Sequence, residues 1–380
     1  MKTFDKDAHC DVMCARDRGT QTYLIVLLFV ASTCHFTSFA SLADAGSLIA
    51  GPRAVGAFQS EDDGLCHAVV AQTNGNIVDV THDCHGGGVA ASVLAQLDDP
   101  VAVCGYYARN DHFRHVIVGL SNGDLFDIRF KPGIAPAPIR LVNIHDFGPI
   151  KSLASWTDVH DNKNIAILTT WLNAQVVSVY QANVGRPGSM HYLSIFPATN
   201  MIDIAGQYVY WDNSNKIQLA VGQAGESSSM KMISWSADVV PDQWNFASGF
   251  EGTNTPWVTS FPGASTPGEA VVSMGGNSGY YSIYAPWSAI VGLIFLNVNH
   301  EIKFFGANNG GGTIGPGSFT FPAAAQSIAG PHFTGIASGP LPRIQVVVGA
   351  DDGRLFSLSA SQPSNPQGTP AWAVAQIGAF

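Results

Sequence analysis

CHAVVAQTNGNIVDV at 66–80, RHVIVGLSNGDLFDI at 114–128 and IQVVVGADDGRLFSL at 344–358 are three stretches of this chain that follow one pattern. Each begins with an apolar run, continues with Asn-Gly or Asp-Gly, and ends with a run that alternates apolar and polar residues. Asn-Gly and Asp-Gly tolerate the positive φ that tight hairpin turns require. We therefore predict three β-hairpins of the same design.

Weaker copies of this hairpin lie at 165–179, 217–233 and 290–305, so the chain holds six. Each of the early hairpins is preceded by a further strand, in which an apolar residue is followed directly by a small one. The small residues stand at 56, 105, 154 and 205, in steps of 49, 49 and 51. Later copies of this strand lie at 271–275 and 328–330. Outer strands are predicted at 89–97, 139–144, 191–196, 244–250, 318–321 and 372–380.

Four antiparallel strands in about 50 residues, repeated six times, predict an all-β, six-bladed β-propeller over residues 46–380. Small residues suit the innermost strands, because the blades converge there. Two β-sandwiches are the alternative, but they would not give one register along the whole chain. Extra residues at 239–267 leave room for a degenerate seventh blade.

Residues 1–45 are predicted to be a signal peptide or another targeting segment. Leu24–Ala31 is a short apolar core, and the small residues of 43–45 offer a cleavage site before Gly46; 38–40 is an earlier option. An uncleaved anchor over 23–36 is the alternative, although that stretch is short for a membrane span. We expect a secreted protein with no membrane span after processing.

Six cysteines are present, of which Cys66, Cys84 and Cys104 lie in the predicted mature chain. Cys66 and Cys84 flank one hairpin and are nearly equidistant from its turn, so a one-residue bulge would bring them face to face. We predict a disulfide between them, in agreement with an exporting compartment. Cys104 lies in an apolar run and is expected to be a buried free thiol.

The composition excludes several functions. The net charge is −10 and the predicted mature chain has no basic cluster, which argues against nucleic acid as a partner. Two short His pairs, His82/His85 and His112/His115, lack the further ligands that a zinc site needs, so no metal and no cofactor are expected. Acidic loop residues are interpreted as turn formers rather than as calcium ligands. No nucleophile motif is found, and a carboxylate pair contributed by different blades stays open.

The repeat resembles the six-bladed fucose-binding lectins of fungi and bacteria. Members of that family bind sugar between blades with an Arg eight residues before the turn Gly, a Glu four residues after it, and a Trp that opens the outer strand. This chain has His67, His115 and Gln345 at the Arg position and Asp79, Asp127 and Ser357 at the Glu position. Trp244 and Trp372 match the Trp. The resemblance implies a shared scaffold, whereas no blade carries the complete fucose-binding set.

The sequence therefore predicts a secreted, non-catalytic, lectin-like propeller that binds glycans at several weak sites between blades. The candidate ligand-binding residues are His67, Asp79, His115, Asp127, Trp244 and Trp372. Each His–Asp pair could grip neighbouring hydroxyls of a sugar, or the two side chains could hydrogen-bond each other inside a blade. Two other functions stay open at this stage: a propeller that hydrolyses or eliminates glycans, and a propeller that binds proteins only.

Overall fold

The computed structural model describes residues 49–50, 54–84, 86–143, 148–158, 160–171, 174–198, 201–209, 216–223, 230–236, 271–276, 293–307, 313–314, 318–321, 324–334, 343–361 and 372–380. Their regular structure consists of 24 β-strands. No helix that is long and apolar enough to cross a membrane occurs among them. The segments 1–45, 239–267 and 244–250, for which a targeting peptide, a seventh blade and an outer strand were predicted, lie outside the described residues.

The strands form six antiparallel sheets in chain order, and most sheets have four strands. Sheet 1 comprises β1 (Val55–Gln59), β2 (Cys66–Ala71), β3 (Asn76–His82) and β4 (Ala90–Gln96), and sheet 2 comprises β5 (Pro100–Ala108), β6 (Phe113–Leu120), β7 (Asp124–Lys131) and β8 (Ile134–Asn143). Sheet 3 comprises β9 (Ile150–Thr157), β10 (Lys163–Trp171), β11 (Ala174–Ala182) and β12 (Met190–Ala198), and sheet 4 comprises β13 (Met201–Val209), β14 (Lys216–Gln223) and β15 (Met230–Ser236). Sheet 5 comprises β16 (Val271–Gly275), β17 (Leu293–Asn297), β18 (Glu301–Ala307), β19 (Thr313–Ile314) and β20 (Ser318–Thr320), and sheet 6 comprises β21 (Ala325–Thr334), β22 (Arg343–Ala350), β23 (Arg354–Ser361) and β24 (Trp372–Ala379).

The three quoted stretches form the hairpins β2–β3, β6–β7 and β22–β23, as predicted. Their turn glycines, Gly75, Gly123 and Gly353, have φ values of 90°, 86° and 83°. The Asn or Asp before the glycine also stabilises the turn: the Asn74 side chain accepts a hydrogen bond from the backbone N–H of Asn76 at 3.0 Å. Local turn chemistry thus favours the tight turn of each hairpin. The three weaker copies also pair, as β10–β11, β14–β15 and β17–β18.

The first strands of the six sheets form the centre of the molecule. They contact one another in the order β1, β5, β9, β13, β16 and β21, and β21 contacts β1. Each contributes three residues to a narrow central channel: 55–57, 103–105, 153–155, 204–206, 274–276 and 328–330. These are the positions at which the sequence repeats an apolar residue beside a small one. The fold is therefore a β-propeller.

Steric crowding explains the small residues of the channel. A Cβ on Gly56 would lie 2.9 Å from the Cα of Cys104 on the next sheet, and one on Gly105 would lie 2.6 Å from the ring of Phe58. A Cβ on Gly275 would overlap the carbonyl oxygen of Gly330. A Cβ would meet backbone atoms at Gly56 and Gly275 and the Phe58 ring at Gly105, so glycine is favoured at these three points.

The first strand pair of five sheets also has a register shift at the same place. In each case the shift falls between the first and the third residue of the first strand. The positions are 100/102 in β5, 201/203 in β13, 271/273 in β16 and 325/327 in β21. In β9 they are 150/152, opposite Thr169 and Leu168. A bulge leaves one residue unpaired and increases the local twist of the strand. Its repetition shows that the sheets share one register.

The predicted disulfide is present, with the Cα atoms of Cys66 and Cys84 5.2 Å apart. Cys66 pairs with His82 in the sheet, so Cys84 lies two residues beyond its opposite position rather than one. A positive φ of 61° at Cys84, just after β3, turns this residue back toward Cys66. Among the described cysteines Cys104 is free; it lines the channel, and burial raises the pKa of its thiol to about 12.

Candidate functional site

His67 and Asp79 lie on neighbouring strands of sheet 1 and contact each other inside the blade. His67 follows Cys66 on β2, and Asp79 lies in the middle of β3. The Nδ1 atom of His67 is 2.9 Å from a carboxylate oxygen of Asp79, and the two side chains are 0% and 3% exposed. Phe58 of β1 covers the imidazole from one side, with the ring centroids 4.8 Å apart.

A second carboxylate approaches the other nitrogen of the same imidazole. The Nε2 atom of His67 is 3.5 Å from Asp63, which lies in the loop between β1 and β2. Burial by itself lowers the pKa of His67, but the charges of Asp79 and Asp63 outweigh it and raise the pKa to about 9. The imidazole is therefore a buried cation at neutral pH, held between two carboxylates.

Sheet 2 repeats this arrangement 48 residues later. The Nδ1 atom of His115 is 2.9 Å from Asp127, both side chains are 0% exposed, and Nε2 is 3.2 Å from Asp111. Tyr106 stacks on the imidazole at 4.9 Å. The two carboxylates raise the pKa of His115 against the opposing effect of burial. The spacing from Asp to His to Asp, 63–67–79 and 111–115–127, is identical in the two sheets.

Sheet 6 has a neutral version of the pair. The side-chain amide of Gln345 donates a hydrogen bond to the hydroxyl of Ser357 at 2.6 Å, and both residues are buried. The same amide lies 3.3 Å from the imidazole of His82 in sheet 1. The repeat therefore accepts either a charged pair or a neutral pair at this point, provided that both members are hydrogen-bonded.

Cations from the next sheet cover these pairs. The guanidinium of Arg114, in sheet 2, lies 2.8 Å from Asp63 of sheet 1. Lys163, in sheet 3, lies 2.8 Å from Asp111 of sheet 2, and Asn183 donates a hydrogen bond to Asp127 at 2.8 Å. The positive charges of His115 and Lys163 hold the pKa of Asp111 well below its usual range, although burial opposes them. Each contact joins two sheets, so the network closes the clefts between sheets 1 and 2 and between sheets 2 and 3.

Both His–Asp pairs form the contact inside the blade that the second interpretation predicts. His67, Asp79, His115 and Asp127 are buried, and each His contacts its Asp. Arg114, Lys163 and Asn183 contact Asp63, Asp111 and Asp127, respectively. The structure therefore shows the four residues of the pairs buried inside their blades, with the hydrogen bonds of the second interpretation. A group of three side chains arranged to hold a metal ion is likewise not found in the described part of the chain.

Trp372 is the predicted site residue that retains an accessible surface. It is the first residue of β24, is partly buried, and packs against the apolar cluster shared by sheets 5 and 6. It lies opposite Ala360 on β23. Trp244 lies outside the described residues.

Tyr192 is an aromatic residue that the sequence reasoning missed. It stands near the start of the outer strand β12, is 49% exposed, and meets the ring of Tyr180 edge-on at 5.6 Å. Tyr180 belongs to the apolar cluster shared by sheets 2 and 3, just as Trp372 borders the cluster of sheets 5 and 6. The signal was present in the predicted outer strand 191–196, but a search for Trp alone passed over a Tyr.

Taken together, the ring of sheets and the contacts between them define a β-propeller whose sheets are joined by repeated polar pairs. No family model matches the sequence, and no curated protein is significantly similar to it. Solved structures, however, are similar in fold.

AofleA from Arthrobotrys oligospora has a TM-score of 0.57 at 10% sequence identity, with 87% of each chain covered. The Aleuria aurantia lectin, described as a six-bladed β-propeller with a novel fucose recognition mode, has a TM-score of 0.56 at 11% identity, covering 87% of this chain and 99% of that one. The SapL1 lectin, solved with α-methyl fucoside, has a TM-score of 0.53 at 12% identity, covering 87% and 98%. The resemblance to fucose-binding lectins is thus confirmed at the level of the fold.

Proposed function

We propose that this chain is a secreted, non-catalytic, carbohydrate-binding β-propeller. The observation that carries the proposal is the similarity in fold, over 87% of this chain, to one lectin solved with a fucoside and another described by its fucose recognition mode. Function belongs to sites rather than to folds, so the binding surface has to come from the residues of this chain.

The proposed propeller has six blades, each formed by one of the six sheets. Support comes from the contact between β21 and β1, which completes the circle of first strands. Three residues from each of six first strands line the channel, which supports six blades.

We place the sugar-binding surfaces at the outer ends of the clefts, on aromatic residues that open the outer strands. Trp372 is the first residue of β24 and borders the apolar cluster of sheets 5 and 6. Tyr192 is the third residue of β12 and contacts Tyr180, a member of the apolar cluster of sheets 2 and 3. Aromatic faces stack well on the apolar faces of sugars. Because the His–Asp pairs deeper in the clefts are covered, we expect shallow and individually weak sites that gain strength from several contacts with one glycan surface.

Secretion is supported by the short apolar core near the N-terminus and by the disulfide, a bond that persists in oxidising compartments. We therefore propose that the functional protein is released outside the cell. Protein for binding experiments should be collected from the medium of cells that express the full chain, and retention of all the protein inside the cells would contradict this part of the proposal.

A glycan array tests the function, followed by titration of the best ligand at up to about 1 mM. We expect Trp372→Ala and Tyr192→Ala each to weaken binding about tenfold through the loss of a stacking face. Val374→Ala is the matched control, because Val374 is a 40% exposed apolar residue on the same strand as Trp372. Absence of any glycan binding, or equal losses in the control, would refute the proposal.

A further inference from the structure

Two cations of sheet 2 share one aromatic ring. The guanidinium carbon of Arg129 lies 4.6 Å from the centroid of the Phe113 ring, and the Nζ atom of Lys131 lies 4.2 Å from it. Phe113 begins β6, and Arg129 and Lys131 end β7 on the same face of the sheet. The ring therefore holds two positive charges close together. They lie at the end of sheet 2 that carries the loops joining β5 to β6 and β7 to β8.

These cations differ from the other positively charged side chains near them. Arg114, Lys163 and Arg140 each form an ion pair with an aspartate. Within the described residues, Arg129 and Lys131 have no carboxylate partner. The Nε atom of Arg129 is shielded from solvent and has no acceptor in the same part of the chain. The side chains of Arg129 and Lys131 are only partly buried, so part of each remains accessible to an anionic ligand.

The local balance of charge favours an anion. One nearby anion, Asp161, interacts with Lys163 and accepts hydrogen bonds from the backbone N–H groups of Arg109 and Asn110. Arg129 lies opposite His115 in the sheet, and the other groups near this corner are His115 and Lys163 as cations and Asp111 and Asp127 as anions. Both carboxylates are already engaged by His115, and they also contact Lys163 and Asn183. The charges of Arg129 and Lys131 are thus in excess, although the chain as a whole has a net charge of −10.

The equivalent corner of sheet 1 shows that the fold does not require these residues. Positions 48 residues earlier hold Leu65, Thr81 and Asp83 in place of Phe113, Arg129 and Lys131. The same backbone geometry with its own His–Asp pair therefore forms without any of the three. Their presence in sheet 2 calls for a reason other than folding.

We propose that Arg129 and Lys131 bind the carboxylate or sulfate group of an acidic glycan at this end of the cleft between sheets 2 and 3. This inference rests on the proposed carbohydrate-binding function and names its ligand class. A guanidinium offers paired N–H donors that match a carboxylate or sulfate, and a neighbouring ammonium adds charge. Tyr180 and Tyr192 of sheet 3 provide aromatic surface at the same interface.

The test uses isothermal titration with three probes: a galacturonate trisaccharide, its methyl ester, and a sulfated disaccharide. The variants Arg129→Thr and Phe113→Leu take the residues that sheet 1 has at the same positions. Arg140→Thr is the matched control, because it removes the same charge from sheet 2 at an exposed ion pair with Asp124. We expect Arg129→Thr to weaken binding of the acidic trisaccharide about ten- to a hundredfold, and the control to change it less than about twofold. Phe113→Leu should weaken binding by releasing both cations.

The outcomes separate this inference from the proposed function. Binding of neutral glycans with no preference for the acid over its methyl ester ends the inference and leaves the function intact. If Arg129→Thr binds the acidic trisaccharide with unchanged affinity, the inference is also refuted and the proposed function stands. Binding of no glycan at all refutes both. A preference for the galacturonate or for the sulfated probe identifies which anion the site takes, and urea unfolding of each variant excludes a loss of fold as the cause.

Discussion

The buried imidazole of His67 makes the stability of the propeller depend on pH. Two variants isolate this effect. Asp79→Ser removes the principal partner of the imidazole, whereas the double variant His67→Gln with Asp79→Ser installs the neutral pair that the protein already uses as Gln345 and Ser357. The double variant therefore changes the charge while keeping a hydrogen-bonded pair at the same place.

The magnitude follows from the pKa. The folded protein raises the pKa of His67 from 6.5 to about 9. Each pKa unit corresponds to roughly 1.4 kcal/mol, so protonated His67 stabilises the fold by roughly 3 kcal/mol. Because the folded pKa is the higher one, this contribution is complete below pH 6.5, declines as the pH rises, and is lost above about pH 9.

The free energy of unfolding should be measured in urea at about pH 6 and about pH 9.5. We expect the natural protein to lose roughly 3 kcal/mol more between these two values than the double variant loses. His115 is present in both proteins, so its own titration cancels in the comparison. At the lower pH, Asp79→Ser should be destabilised by about 3–5 kcal/mol, because it leaves a buried cation with only Asp63 nearby, and the double variant should lose less. Equal pH dependence in the two proteins, or a single variant as stable as the double variant, would refute this reasoning.

Two further predictions concern the scaffold. Replacing both Cys66 and Cys84 by Ser should lower the free energy of unfolding by about 3 kcal/mol, because the bond closes a loop with a sequence separation of 18 residues; dithiothreitol should bring the natural protein to the same value, and an unchanged urea midpoint would contradict the prediction. Gly275→Ala should cost about 1–3 kcal/mol, because the new Cβ meets the backbone of Gly330 on the next sheet. Gly378→Ala is its control, since a Cβ there meets the side chain of Phe380 at 3.3 Å and that ring can move. If Gly275→Ala and Gly378→Ala unfolded at the same temperature, the channel would not be crowded.

Several features of the fold could be predicted because they depend on short pieces of chain. The Asn-Gly and Asp-Gly turns and the alternation beside them specify each hairpin within about 15 residues. The pairing of Cys66 with Cys84 follows from the position of one turn. The spacing of small residues near 56, 105, 154 and 205 located the first strands, because little side-chain volume fits where six backbones converge.

The proposed binding surface was harder to predict from the sequence. Outer strands were predicted with less accurate limits, and β8 begins at Ile134 rather than at 139, because its mostly exposed residues carry little apolar pattern. Tyr192 was not distinguished from a buried aromatic. The burial of the Arg129 Nε atom and the lack of a carboxylate beside it depend on side chains from several strands. A local sequence pattern therefore could not predict them.

By itself, the sequence determined the repeat, the hairpins, the disulfide and the crowded centre, because each is set by contacts between residues close in the chain or by a strict period. Only the tertiary structure showed that His67 and Asp79 are buried and bind each other. That outcome requires Asp63 from one loop and Arg114 from the next sheet to cover the pair. Residues some 50 positions apart contribute to each cleft between blades, and whether they fill it or leave it open depends on how closely the sheets pack.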